Sequence, residues 1–174
     1  YNDTPVEYYC QSYDSNKRSR PWGTTDALCV LCGKVNEPFI MVNGDDIYGE
    51  LTFRKGKYLL HGNNIIGGCK MINTLPKDPC VTANRGVIEV SSEKVISIKE
   101  MLNISQSNNH ELMNKLANVN FIGLQPCVLD ELKVLLDEFK RQHEHDEKIE
   151  ALLPNDLNTL IANKTITMKS FEIK

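Results

Sequence analysis

Two carboxylates, Asp45 and Asp46, follow directly on the apolar run Phe39–Val42 in the stretch PFIMVNGDDIYG. In open α/β sheets ligands bind beyond the carboxyl ends of strands, and Asp45 is the first acid past such an end. Mg2+ prefers carboxylate oxygen, and it is typically held by one or two carboxylates together with substrate phosphates. The pair therefore fits a metal–phosphate site. The plainer alternative is an Asx turn closing a strand, the usual role of an isolated Asp-Asp.

A second group surrounds RPWGTTDA, residues 20–27. Gly23 lets backbone approach a flat or charged ligand with no Cβ in the way. Thr24 adds a hydroxyl, and a helix starting there offers free N–H groups. Gln11, at the end of the preceding segment, donates and accepts at once, which suits the edge of a nucleobase. The ordinary alternative is a loop running into a helix cap. A third group is Gly86 and Glu100, on the two arms of a presumed hairpin. A glycine N–H and a carboxylate together satisfy sugar hydroxyls, which need both an acceptor and a donor. Glu100 fits a solvated strand end equally well.

Two further clusters are set aside. HEHDEK, residues 143–148, follows a long helix and reads as its solvated end rather than a metal site. Cys29 and Cys32 form a C-x-x-C, but zinc needs a second ligand pair at suitable spacing and the sequence has none.

These residues must be held by regular elements. VEYYCQ, residues 6–11, is expected to form a strand, and SYDSNKRSRPWG a loop. TTDALCVLCGK has helical spacing, with Ala27, Leu28, Leu31 and Cys32 on one face, a Thr24 or Thr25 cap, and Gly33 as terminator. PFIMV reads as a strand buried on both faces. YGELTFRKGKYLL is a weak helix interrupted at Gly56. NIIGGCKMIN is a strand whose glycine pair suggests a bulge or a close backbone approach. GVIEV and KVISIKE alternate around SSE as a hairpin. VNFIGLQP is a strand ended by Pro126. CVLDELKVLLDEFKRQHEH is the clearest helix, with Val128, Leu132, Leu135, Leu136 and Phe139 in register. LLPNDLNTLIANK is a second helix, started by Pro154, and TITMKSFEIK a closing strand. Interleaved strands and helices give an α/β class with a mixed sheet.

Composition narrows the partners. The chain has 174 residues, which suits one domain with a real core. A net charge of −3 gives no reason to expect nucleic acid or an anionic membrane. No apolar run reaches the ~20 residues of a membrane span, and no signal peptide is recognised. The six cysteines are scattered through apolar segments rather than set in a disulfide framework. That favours a reducing, cytoplasmic setting, in which the Asn-x-Ser/Thr sequons at Asn2, Asn103 and Asn163 carry little meaning. The chain begins at Tyr1 rather than Met, as a fragment or processed product does.

Taken in order, the segments resemble the nucleotidyltransferase domain of sugar-1-phosphate nucleotidyltransferases, the NDP-sugar pyrophosphorylases. RPWGTTDALCVL is similar to the family's P-W-G-T-x-H-A-V-L segment, and FIMVNGDDIYG to V-x-N-A-D-D-F-Y-G. INTLPKDPCVTANRGVIEVSSEKVISIKE resembles N-T-L-S-x-x-G-x-V-x-R-G-V-C-x-V with its following strand. VNFIGLQPCVLDEL resembles M-N-F-W-G-F-x-P-x-I-F-D-x-L, and IEALLPNDLNTLI resembles E-F-F-L-P-x-x-V-N-x-L-I. The matches run along nearly the whole chain.

The resemblance implies a Rossmann-like, mixed but mainly parallel sheet flanked by helices, with residues 1–174 a single partial domain. It implies an enzyme that moves a nucleotidyl group from an NTP to a sugar-1-phosphate, with Mg2+ as cofactor. Gln11, Gly23 and Thr24 would then contact the base; Gly86, Glu100 and Asn120 the sugar; and Asp45 the metal, as its catalytic ligand. Partners would be NTP and sugar-1-phosphate, without nucleic acid or membrane, with a homo-oligomer left open. Two departures stand out. Asp26 replaces the family histidine. The family's opening G-x-G-T-R loop and P-x-x-K segment are not found, so the fold is expected to be incomplete at the N-terminus and short of catalytic parts by itself. Two alternatives follow: a non-catalytic homologue that binds nucleotide sugars, or a GT-A-type glycosyltransferase, whose acids are usually spaced D-x-D rather than adjacent.

Overall fold

The computed structural model describes residues 5–174, so the sequon at Asn2 lies outside the described residues. In chain order the elements are helix α1 (Thr24–Cys29), strand β1 (Phe39–Met41), α2 (Glu50–Leu60), β2 (Asn64–Lys70), β3 (Ala83–Ser91), β4 (Lys94–Ile104), β5 (Leu116–Leu124), α3 (Cys127–Gln142), α4 (Leu153–Ala162) and β6 (Met168–Glu172). The strands form one mixed sheet in the order β1-β5-β2-β6-β4-β3. β3 also pairs with β5, so β5, β2, β6, β4 and β3 close into a ring, with β1 attached outside it.

Alternation along β2 and β5 divides the core into layers. Ile66 and Ile122 face α1, α3 and α4, joining Leu28, Leu129, Leu132, Leu157 and Met168. Their neighbours Ile65 and Phe121 face the other way, with Leu60 of α2, Phe171 and Ile173. A third cluster, around Met71, Val87, Ile104 and Ala117, fills the far end.

The sheet corrects the expectation of a mainly parallel one. Among the described strands only β2–β6 pair in parallel; the other five pairings are antiparallel. A tight turn makes neighbouring strands antiparallel, whereas a parallel pair needs a long crossover. Ser92 and Glu93, both at positive φ, supply such a turn between β3 and β4. The hairpin was expected, and so was the irregularity at the glycine pair. Gly67 faces Phe121 but Gly68 faces Asn118, leaving Val119 and Asn120 as extra residues on β5.

Five other expectations are corrected. Residues 6–11 form no strand; they are exposed apart from Gln11 and have no ladder partner. β1 is an edge strand bonded only to β5 and half-buried rather than buried on both faces. Gly56 does not interrupt α2: it is buried, and an added Cβ would lie 2.7 Å from Phe121 Cε1. The helix keeps a glycine there so that Phe121 can pack against it. In α1 Ala27 is exposed, and the buried residues are Thr25, Asp26, Leu28 and Cys29. Neither threonine caps that helix; Gly23 occupies the cap position at φ 104°.

Candidate functional site

A cleft of about 1010 Å3 opens between the β3–β4–β5 wall and the start of α1 and α4. Its lining includes Thr24, Gly86, Glu100 and Asn120, four of the residues singled out from sequence. They come from four different elements, so no local motif explains their meeting.

On the α1 side, residues 22–25 dock against residues 151–153. Ala151 N–H donates to the Trp22 carbonyl at 2.7 Å, and Thr25 N–H donates to the Ala151 carbonyl at 3.1 Å. Thr24 Oγ1 accepts from Leu153 N–H at 2.9 Å. The absence of a side chain at Gly23 is explained by packing, because a Cβ there would strike the Ala151 backbone. Gln11 donates Nε2 to the Gly23 carbonyl at 3.1 Å and to Asp26 Oδ2 at 2.6 Å. Gln11 and Gly23 thus brace this corner and are absent from the cleft lining. Asp26 is buried and ion-paired with Lys140 of α3, which turns its charge away from the cleft. Arg18, only 4% exposed, holds the loop behind. It lies 3.4 Å from the Trp22 ring centroid and donates to the carbonyls of Asp146 and Ile149.

The opposite wall is built by the hairpin and the bulged part of β5. Gly86 and Glu100 are direct partners in the β3–β4 ladder. Asn120 sits in the β5 bulge at φ 56°, a left-handed conformation that asparagine tolerates better than most residues. Bulges re-aim side chains, and this one brings Asn120 to the cleft beside Asn118. Asn118 accepts from Asn120 N–H through Oδ1 at 2.9 Å and donates Nδ2 to Asn120 Oδ1 at 3.1 Å.

At the β1 end the two acids separate. Asp46 lines the cleft, while Asp45 is exposed and outside the lining. Asp46 Oδ2 accepts from Asn43 Nδ2 at 2.9 Å and lies 3.2 Å from the Tyr48 hydroxyl. That hydroxyl also donates to the Val119 carbonyl at 2.8 Å, tying the acid loop to β5. Burial pushes the Tyr48 phenol above its ordinary value; the Asn43 N–H opposes this and Asp46 adds to it. Asp45 makes no hydrogen bond or ion pair among the described residues, and the residue is exposed. Among the described residues no group of three or more His, Cys, Asp or Glu side chains could hold a metal ion. A Mg2+ ion that arrives with phosphates needs only one or two carboxylates, and the acid loop can supply these.

Sequence reasoning missed how rich the cleft is in amides. Asn43, Asn73, Asn84, Asn118 and Asn155 line it along with Asn120. The period of two in a strand was a usable signal for Asn118; the others reach the cleft through non-local packing. Arg85 is the only lysine or arginine in the described lining, and its guanidinium donates to the Asn84 and Thr74 carbonyls.

The clusters set aside have structural explanations. Burial, with the neighbouring Cys32 adding to it, pushes the Cys29 thiol up to about 12, which keeps it protonated and unreactive. In HEHDEK, the Asp146 carboxylate is held below its ordinary range, first by the Lys148 N–H and then by that of Ile149, as in a capped turn. No described helix is long and apolar enough to cross a membrane.

No family profile matches the chain, and no curated protein matches it. Among solved structures it is similar to UDP-glucose pyrophosphorylase. One such crystal structure, complexed with UDP-glucose, shares 15% identity over 87% of this chain and 55% of its own, with a TM-score of 0.47. The apo crystal structure gives 15% identity over 87% and 53%, with a TM-score of 0.48. The chain spans about half the length of these structures.

Proposed function

We propose that the chain carries the nucleotide-sugar cleft of a sugar-1-phosphate nucleotidyltransferase. In the proposed reaction a sugar-1-phosphate oxygen attacks the α-phosphorus of an NTP, and pyrophosphate leaves with the electrons of the broken P–O bond. Such chemistry rests on positioning and charge neutralisation rather than covalent catalysis. The observation that carries the reading is the convergence of Thr24, Gly86, Glu100 and Asn120 on one cleft of about 1010 Å3. In this reading Thr24 marks the base side, braced by Gln11 and Gly23, and Gly86, Glu100 and Asn120 form the sugar side. Asp45 would hold Mg2+, which supplies positive charge to the phosphates when bound. The proposed setting is cytoplasmic.

The test pairs calorimetry with a pyrophosphate-release assay. Uridine, thymidine and guanosine diphosphate sugars are titrated first. The matching NTP and sugar-1-phosphate pairs are then assayed with Mg2+ and with EDTA. Binding with Mg2+-dependent turnover supports the reading, and failure of every nucleotide sugar to bind overturns it. Binding without turnover supports a second reading, a non-catalytic nucleotide-sugar-binding homologue. One observation favours that alternative: the described lining holds a single cation, Arg85, and it is turned to backbone carbonyls, which is little positive charge for a triphosphate.

A further inference from the structure

The two asparagines of the β5 bulge fix each other's polarity. Because Asn120 Oδ1 accepts from Asn118 Nδ2 at 3.1 Å, the Asn120 carboxamide is turned so that its NH2 is the outward end. That NH2 makes no hydrogen bond among the described residues. Asn118 cannot turn over, since its Oδ1 is held by the Asn120 N–H at 2.9 Å. Glu100 stands on the neighbouring strand as the complementary group. Its carboxylate has neither a hydrogen bond nor an ion pair among the described residues, and it is exposed to the cleft. The empty Cβ position of Gly86 lies 3.5 Å from Glu100 Oε2 and 3.8 Å from Asn118 Nδ2. The wall thus holds one unpaired donor, the Asn120 NH2, and one open acceptor, Glu100, among residues that line the same cleft as Gly86.

The charges around this wall are one-sided. The described lining has two carboxylates, Asp46 and Glu100, against Arg85, which is already engaged by the Asn84 and Thr74 carbonyls. A hydroxyl can donate to Glu100 and accept from Asn120. A ligand carboxylate meets the charge of Glu100, a repulsion that costs more in a cleft than in bulk water, and the lining's one cation, Arg85, is oriented toward the Asn84 and Thr74 carbonyls. Such unfavourable pairing is a direct route to specificity.

We infer that Asn118 is a positioning residue that holds Asn120 as a hydrogen-bond donor, and that the wall it completes selects a neutral, hydroxyl-bearing sugar over a sugar acid. The inference rests on the reading of the cleft as a nucleotide-sugar site.

Calorimetry with the full chain separates the two. Each NDP-hexose is compared with the NDP-hexuronate of the same base, so that only one ligand group changes. The expected result is that the hexose binds about tenfold or more tightly. Equal or tighter binding of the hexuronate overturns this inference and leaves the nucleotide-sugar reading standing. Binding of neither overturns both.

The role of Asn118 is tested with Asn118→Asp. Its side chain can only accept at neutral pH, so the Asn120 NH2 is expected to turn inward to meet it. The affinity for the NDP-hexose then falls about tenfold, while that for the nucleoside diphosphate alone is unchanged. In the ligand-free protein the side-chain NH2 resonances of Asn120 are expected to shift as its hydrogen bond with residue 118 reverses. Unchanged hexose affinity together with unshifted Asn120 resonances overturns the positioning role. The hexose-to-hexuronate comparison on the unmodified chain stands whether or not the variant folds.

Discussion

Gly86 faces Glu100 across the β3–β4 ladder, and the position of its missing Cβ lies 3.3 Å from Asn118 Cβ and 3.5 Å from Glu100 Oε2. The first contact is tight but not prohibitive and the second is ordinary van der Waals contact, and alanine is ordinarily preferred to glycine in a strand by about 0.5–1 kcal/mol. Stability and binding should therefore respond differently. Gly86→Ala is expected to melt within a few degrees of the wild type while losing about tenfold in affinity for a neutral nucleotide sugar. Thermal unfolding and calorimetry on the same sample check this. A variant that binds normally would remove Gly86 from the site.

The acid loop provides a second contrast. Asp45 has free oxygens, whereas Asp46 is held by Asn43 and lies beside Tyr48. Asp45→Asn is expected to weaken Mg2+ by at least about tenfold in a titration with nucleoside diphosphate present. Asp46→Asn keeps an acceptor for Asn43 and should have the milder effect. If the two variants behave alike, or if Asp45→Asn is silent, the assignment of Asp45 to the metal fails.

Gly56 tests packing against helix propensity. Replacing a helical glycine with alanine normally stabilises a protein by about 0.8–1.0 kcal/mol. Here the new methyl meets the fully buried Phe121 ring at 2.7 Å, and overpacking of that kind costs about 1–3 kcal/mol. The clash is expected to win, so Gly56→Ala should lower stability by about 1 kcal/mol in urea denaturation. A more stable variant would show that Phe121 can move aside.

Asp156 should make stability depend on pH. Burial raises its carboxyl above the ordinary 3.8, partly offset by the bond from the Thr25 hydroxyl. A raised carboxylate contributes most below the unfolded value, and the contribution is lost as pH climbs through the folded one. Asp156→Asn keeps the acceptor for Thr25 and removes the titration. Relative to wild type, the variant should gain stability between about pH 3.5 and pH 7. The gain should stay below about 1 kcal/mol, because the group is half-exposed and the N-terminal end of α4 favours its charge. Urea midpoints at the two pH values decide the matter; a difference that is flat or opposite in sign contradicts the account.

Elements whose signal is local were legible in the sequence. The β3–β4 hairpin shows its alternation and turn, α3 its helical stripe, and the glycine pair its irregular pairing. Features set by distant partners were not. Residues 6–11 have strand-like side chains, but a strand exists only where a neighbour completes the ladder. The apolar run of β1 gave no sign that it would lie at an edge. Gly56 was expected to break its helix because Phe121, which packs against it, lies on a distant strand, and the Lys140 partner of Asp26 likewise comes from another helix. In the site, Thr24, Gly86, Glu100 and Asn120 were nominated and share the cleft. Gln11 and Gly23 brace it from outside, and the mutual hydrogen bonds of Asn118 and Asn120 depend on the bulge.

The pairing of β3 with β5 has a kinetic consequence for the asparagine wall. A strand at an open edge can peel away while the rest of the sheet stays folded. Asn118 and Asn120 lie on β5, which belongs to the closed ring, so the wall cannot separate from the hairpin without breaking a ladder elsewhere in the circuit. The ladder amides that flank the bulge should exchange with solvent only through openings that involve several strands at once. β1 is an edge strand paired with β5 alone, so with its acid loop it can fray sooner. A ligand would then meet one jaw as stiff as the whole sheet and another free to follow it.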